Sequence, residues 1–238
     1  MNDENSFRRI AGITAIISAP LALAAVVVLT MAVEFNFELM SDQARLITLG
    51  ARAAELFRLG EILGLFGYSL LLVPVVLYLW DWLKPRSPNL VTMYTVFGLA
   101  FIFIGAVGAS LRAAVLPEMM SAYAQAASAQ GQILSTIFQT VIDVIFGAIG
   151  PLESLLSGLW LLGIGLVLRG ERRGLGIIAV ILGIAFLGTA FGDMLQVEPL
   201  SMLEMTYFIS PIWVLWLGIV IWRRGEQSEH IGETATAV

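Results

Sequence analysis

The chain contains no cysteine. Disulfides, thiolate nucleophiles, iron–sulfur clusters and cysteine-type zinc sites are therefore excluded. It has one histidine, His230, in a polar stretch after the last apolar run. A lone solvated histidine provides neither a clustered metal site nor the base of a Ser-His pair, so metal hydrolysis and triad chemistry lack their residues. The one lysine, Lys84, lies in a loop with Pro85 and Pro88. A retinal Schiff base needs a lysine inside a bundle, so that cofactor is excluded as well, and no other cofactor or metal is expected. Charge is also scarce, at 13% of residues, against about 25% in a soluble domain. Too few charged side chains remain to cover a water-facing shell. No basic cluster interleaved with aromatics occurs, so nucleic acid is not an expected partner.

Apolar residues, by contrast, make up 58% of the chain, and its mean hydropathy is +0.88. A helix of about 20 apolar residues crosses the hydrocarbon core of a bilayer. The apolar runs predict an all-α integral membrane bundle of six transmembrane helices, with spans at about 10–33, 59–80, 90–116, 148–168, 175–192 and 205–222. Residues 1–224 then form a single domain, and residues 225–238 read as a disordered polar cytoplasmic tail. The first run follows Arg8 and Arg9 as a cleavable signal would. It outlasts the roughly 7–15 apolar residues of such a segment and reads as an uncleaved span. Pro117 is expected to end the third span. Residues 119–132, rich in Ala, Ser and Gln, read as an exposed loop with some helix.

The stretch from Ile133 to Leu168 would be roughly 54 Å long as one helix, nearly twice the bilayer core. It is either two spans joined near Gly150-Pro151 or one span with an outer extension. Placement of the basic residues decides. With one span, Arg8, Arg9, Lys84, Arg86, Arg169, Arg172, Arg173, Arg223 and Arg224 share a side, nine of the 13 basic residues. Only Arg45, Arg52, Arg58 and Arg112 lie opposite. The expectation is six spans, long second and fourth helices extended or kinked on the outer side, and both termini in the cytoplasm of a cell with this chain in its inner membrane. Trp80, Trp82 and Trp222 sit where interfacial aromatics belong.

An ionisable side chain in lipid is costly unless paired or hydrated, so each one needs a reason. Counted at 1.5 Å per residue from the inner ends, Glu61 lies about 28 Å up, Arg112 about 33 Å, Glu153 about 22 Å and Asp193 about 27 Å. Asp143 falls at or beyond the outer surface. One reading is an outward-facing polar cavity in which Arg112 balances Glu61 and Glu153 and a ligand binds among Glu61, Arg112, Asp143, Glu153, Ser157 and Asp193. The other is a set of interfacial residues hydrated at the headgroups, with one interhelical ion pair. Ser157 and Trp160 follow Glu153 at one-turn intervals and share its face. No base accompanies Ser157, so a hydrolase is not expected.

Gly60 and Gly64, and Gly188 and Gly192, form GxxxG pairs, and Gly105 and Gly108 lie in span three. Such residues let helices approach closely, within one bundle or between copies. Pro74, Pro151 and Pro211 are candidate kinks, and broken helices mark binding sites in transporters.

Arg9-Ile10-Ala11-Gly12 opens the first span, and Ala54-Glu55-Leu56-Phe57-Arg58-Leu59-Gly60-Glu61 opens the second. With the basic turn from Arg169 to Arg173, the chain resembles small six-span bacterial membrane proteins catalogued only as a domain of unknown function. That resemblance implies the topology over nearly the whole chain and no activity. The leading expectation is a non-enzymatic multi-pass protein that binds or transports a small solute or amphiphile. The alternative is a structural or accessory subunit, homo-oligomeric or paired with a membrane partner through its glycine faces; an intramembrane enzyme ranks last, for want of a nucleophile or metal site.

Overall fold

The structure is a computed structural model that describes residues 3–36, 39, 43–197 and 206–236. Every regular element among them is helical. Helix α1 spans Asp3–Ala32, and α2 spans Gly50–Gly64 after a 3-10 stretch at Gln43–Leu49. A π-helical segment, Leu65–Ser69, and a 3-10 turn, Leu70–Leu72, lead into α3 at Val73–Leu83. Helix α4 spans Pro88–Gln125 and α5 spans Ser128–Val144. A second π-helical segment, Ile145–Ile149, joins α5 to α6 at Gly150–Leu168. Helices α7 (Arg173–Leu195) and α8 (Thr206–Thr236) complete the chain.

Five helical stretches are long and apolar enough to cross a membrane: Glu4–Ala32, Gln43–Leu83, Pro88–Gln125, Ser128–Leu168 and Arg173–Leu195. The sixth, α8, is apolar from Tyr207 to Trp222 before Arg223 and Arg224. Large apolar side chains on these stretches point outward, among them Phe103 at 68% exposed and Val27, Val96, Ile181, Ile184 and Ile212, all above half. In water such a belt would be an aggregation surface; against lipid it is the expected exterior. Helical backbone follows from the same solvent, because lipid offers no partner to an unpaired N–H or C=O.

Each stretch packs on the next in chain order, and α1 closes the ring against α8. Two apolar cores result. The larger includes Val75, Leu79, Phe101, Trp160, Ile164, Leu182, Trp213 and Leu217 toward the basic end. The smaller gathers Leu46, Phe57, Leu116, Met120, Phe138 and Ile142 at the opposite end. At the basic end Arg86 pairs with Glu171 at 2.6 Å, Trp82 donates its indole N–H to Glu171, and Arg224 lies over the Trp82 ring. Trp80 donates to Thr92 there, under Lys84.

Several boundaries differ from the sequence reading. Helix α4 runs through Pro117 to Gln125 instead of ending there. Proline removes one N–H and disfavours the preceding turn, but Pro117 is buried and the helix continues past it within the packing. The expected loop at 119–132 is accordingly reduced to the extended pair Ala126 and Ala127 between helices. The break expected at Gly150-Pro151 lies earlier, in the π-helical segment. Its cause is the same proline, since Pro151 leaves the carbonyl four residues back, on Gly147, without its normal donor. Pro74 does likewise to Leu70 after the first π segment. Backbone beyond Gly225 continues as helix to Thr236 where a disordered tail was read; propagation from a formed helix is easy compared with nucleation. Met205, Ala237 and Val238 lie outside the described residues.

Candidate functional site

The charged side chains sit between the two cores. Glu61 follows Phe57 of the smaller core on α2, Arg112 precedes Leu116 of that core on α4, and Glu153 opens α6. Arg112 Nε bonds Glu61 Oε1 at 2.9 Å, with the side chains 16% and 8% exposed. The guanidinium also lies 5.7 Å from the centre of the Phe146 ring, in the second π segment. Removing two charges from water costs several kcal/mol per ion, which only close geometry and hydrogen bonding offset. This pair has both.

Glu153 occupies a different place. Its charge interacts with those of Arg112 and Glu61, but the ion pair at bonding distance is Arg112 with Glu61. A side chain at position 105 would put its Cβ 2.8 Å from Glu153 Oε1 and 3.1 Å from Ser69 Oγ. A Cβ at position 108 would lie 3.1 Å from Arg112 Nη1. Gly105 and Gly108 thus provide room for charged groups. Their expected role was close helix approach.

Glu153 lines a cavity of about 40 Å³ at the centre of the ring. A buried water needs roughly 10–15 Å³ of such space, so the cavity has room for about three. All six helical stretches contribute to its wall: Ser18 from α1, Tyr68 from the first π segment, Phe101 from α4, Glu153, Ser157 and Trp160 from α6, Phe186 from α7, and Tyr207 and Trp213 from α8. The rings brace one another. Phe186 meets Tyr207 edge-on at 5.3 Å, Phe101 stacks on Trp160 at 6.0 Å, and Trp213 meets Trp160 edge-on. Trp160 is 2% exposed, and its indole N–H has no acceptor among the described residues.

Backbone irregularity is built into the same wall. Pro211 cannot donate to the carbonyl of Tyr207, four residues back, and the Tyr68 hydroxyl donates to that carbonyl at 2.7 Å. In the first π segment the Ser18 hydroxyl donates to the Gly67 carbonyl at 2.6 Å. π-helical turns recur at functional sites, and here one borders each acid-bearing stretch. Ser157 donates to the Ser154 carbonyl, and the Ser154 hydroxyl lies 3.3 Å from the Tyr207 hydroxyl.

Two predicted members lie elsewhere. Asp143 is exposed and accepts from Gln139 one turn back on α5, because its helix turns Phe138 and Ile142 inward instead. Asp193, in the last turn of α7, is half-buried and outside the cavity wall. Arg112 bonds Glu61 and acts on Glu153 through its charge without bonding it. Gly60 packs on Leu29 and Gly64 on Ala25 of α1, Gly192 is buried in α7, and Gly188 is half-buried. Close backbone approaches also involve glycines outside the expected packing set. A Cβ at Gly67 would strike Ala22 backbone, and one at Gly183 would strike Leu162 backbone. Ser18, Tyr68 and Tyr207 were missed as well. The signal for Tyr207 was present, as the residue four before Pro211.

Comparisons with protein-family models, with curated proteins and with solved structures give no match to this chain.

Proposed function

We propose that this chain is a six-span, multi-pass protein of the bacterial inner membrane, with both termini cytoplasmic, that binds or moves a small solute through the cavity beside the charged layer. The observation that carries the reading is a carboxylate, Glu153, lining a cavity to which every helical stretch contributes. Intramembrane ionisable residues mark solute, ion or proton paths more often than they serve stability. The volume bears on the solute: about 40 Å³ suits a guest of roughly three heavy atoms, the size of three waters. An amphiphile would need the helices to part. The resemblance to six-span proteins of unknown function accords with this topology and adds no activity. A role as an accessory subunit is less favoured, because Gly60, Gly105 and Gly108 face partners inside the bundle.

The test is thermal stabilisation of the full chain in mild detergent by three-heavy-atom solutes carrying positive, zero and negative charge. At least one is expected to raise the melting temperature of the native chain but not of Ser157→Leu, which fills the cavity. Stabilisation by none of them overturns the proposal.

A further inference from the structure

The charge count across the layer leaves one acid over. Glu61 and Arg112 neutralise each other at bonding distance, and Glu153 faces the cavity. An ionised Glu153 therefore gives this buried layer a net charge of −1. A charge largely withdrawn from water, with no bonded partner of opposite sign, is neutralised by a proton or by a counter-ion. The rest of the wall selects the counter-ion. Six aromatic residues, Tyr68, Phe101, Trp160, Phe186, Tyr207 and Trp213, line the cavity. The negative face of an aromatic ring attracts a cation, more strongly where water is excluded. The hydroxyls of Ser157 and Ser210 add acceptor capacity for N–H donors.

We infer that the cavity takes a small monovalent organic ammonium ion, held between Glu153 and the aromatic wall, in exchange for the proton that otherwise neutralises Glu153. The inference rests on the solute-binding reading above and names its substrate class. The step balances as carboxylic acid plus ammonium giving the carboxylate–ammonium pair plus one proton released to water. No covalent bond other than O–H changes and nothing is oxidised. The charged groups that act on Glu153 among the described residues are Arg112 from α4 and Glu61 from α2, and Tyr68 and Tyr207 line the same cavity. Helices α1 and α7 contribute Ser18, Ala22 and Phe186, none of which titrates near neutrality. Glu153 is thus the group whose proton the cation replaces. Guest and proton compete, so binding strengthens as pH rises, by up to about tenfold per unit while Glu153 is protonated, and then levels off.

The experiment uses the full chain in mild detergent with ethylammonium, ethanol and formate, each of three heavy atoms, at matched ionic strength. Ethylammonium is expected to stabilise the protein and to release up to one proton per site in weak buffer. Glu153→Gln should melt as the native chain does, yet lose both the stabilisation and the proton release. Should that variant fail to fold, Phe186→Leu serves instead, with ethylammonium affinity expected to fall at least about threefold through the lost aromatic ring. Stabilisation by formate or ethanol in place of ethylammonium overturns the cation assignment and leaves the solute-binding reading standing. Ethylammonium binding without proton release, or unaffected by Glu153→Gln and Phe186→Leu, also overturns it. Stabilisation by none of the three overturns both readings.

Discussion

The α6–α7 hairpin and the charged layer use glycine for opposite purposes. Between α6 and α7, Gly158, Gly165, Gly176 and Gly183 bring backbone against backbone; a Cβ at Gly158 would lie 3.0 Å from the Gly183 carbonyl oxygen, and one at Gly183 would lie 2.9 Å from the Gly158 carbonyl oxygen. In lipid, where apolar burial gives no net drive between helices, this close approach supplies the dispersion contacts that hold them together. In the charged layer Gly105 and Gly108 face the ends of Glu153 and Arg112, which can swing. The first arrangement is stiff because backbone cannot yield. The second leaves space in which polar groups can rearrange, and Glu153 reaches from it to the cavity wall.

Substitutions can break or sharpen this contrast. The largest effect is expected from Arg112→Ala, which strands Glu61 in a buried site and should cost about 3–5 kcal/mol. Replacing the pair by Glu61→Gln with Arg112→Met should recover most of that loss in reversible unfolding. Gly183→Ala comes next. Its added methyl meets Leu162 backbone, and overpacking of this kind costs about 1–3 kcal/mol, read as a lower unfolding midpoint. Tyr68→Phe removes the donor to the Tyr207 carbonyl and should cost about 1 kcal/mol. In a Pro211→Ala background the restored N–H takes that carbonyl, and the same change should cost much less. Gly105→Ala has the smallest effect on stability. Glu153 can move aside, and the mid-helix gain of alanine over glycine, about 1 kcal/mol, opposes the crowding. Equal losses for Gly183→Ala and Gly105→Ala would erase the distinction between the two glycine roles.

Much of the fold was legible because lipid imposes a simple rule. Apolar runs long enough to cross a bilayer must be helical, so helical structure follows from hydropathy, while the number of spans was read from where the basic residues fall. Helix ends were less legible. Pro117 looks like a stop in isolation, yet α4 passes through it because neighbouring helices bury it. Pro151 was visible, but its effect appears upstream in Ile145–Ile149, where the lost hydrogen bond falls. For the site, Glu61, Arg112, Glu153 and Ser157 stand out because each is polar in an apolar run. Asp143 stands out equally and lies outside, since a single turn of α5 decides which way it faces. Tyr68, Phe101 and Phe186 carry no such mark; aromatic residues are ordinary in apolar helices.

The sequence by itself determined what this chain lacks and the solvent it suits. With no cysteine, one histidine and few charges, it cannot build thiolate or histidine-cluster chemistry or a water-facing shell. It also determined the helices, because backbone polar groups in lipid have no other partners. Only the tertiary structure decided which acid is neutralised. Glu61 and Glu153 are alike in sequence, but the ring of helices sets Arg112 against one and the cavity against the other. That choice depends on helix rotation and close approach, set by side-chain packing across neighbouring helices rather than by any run of residues within one.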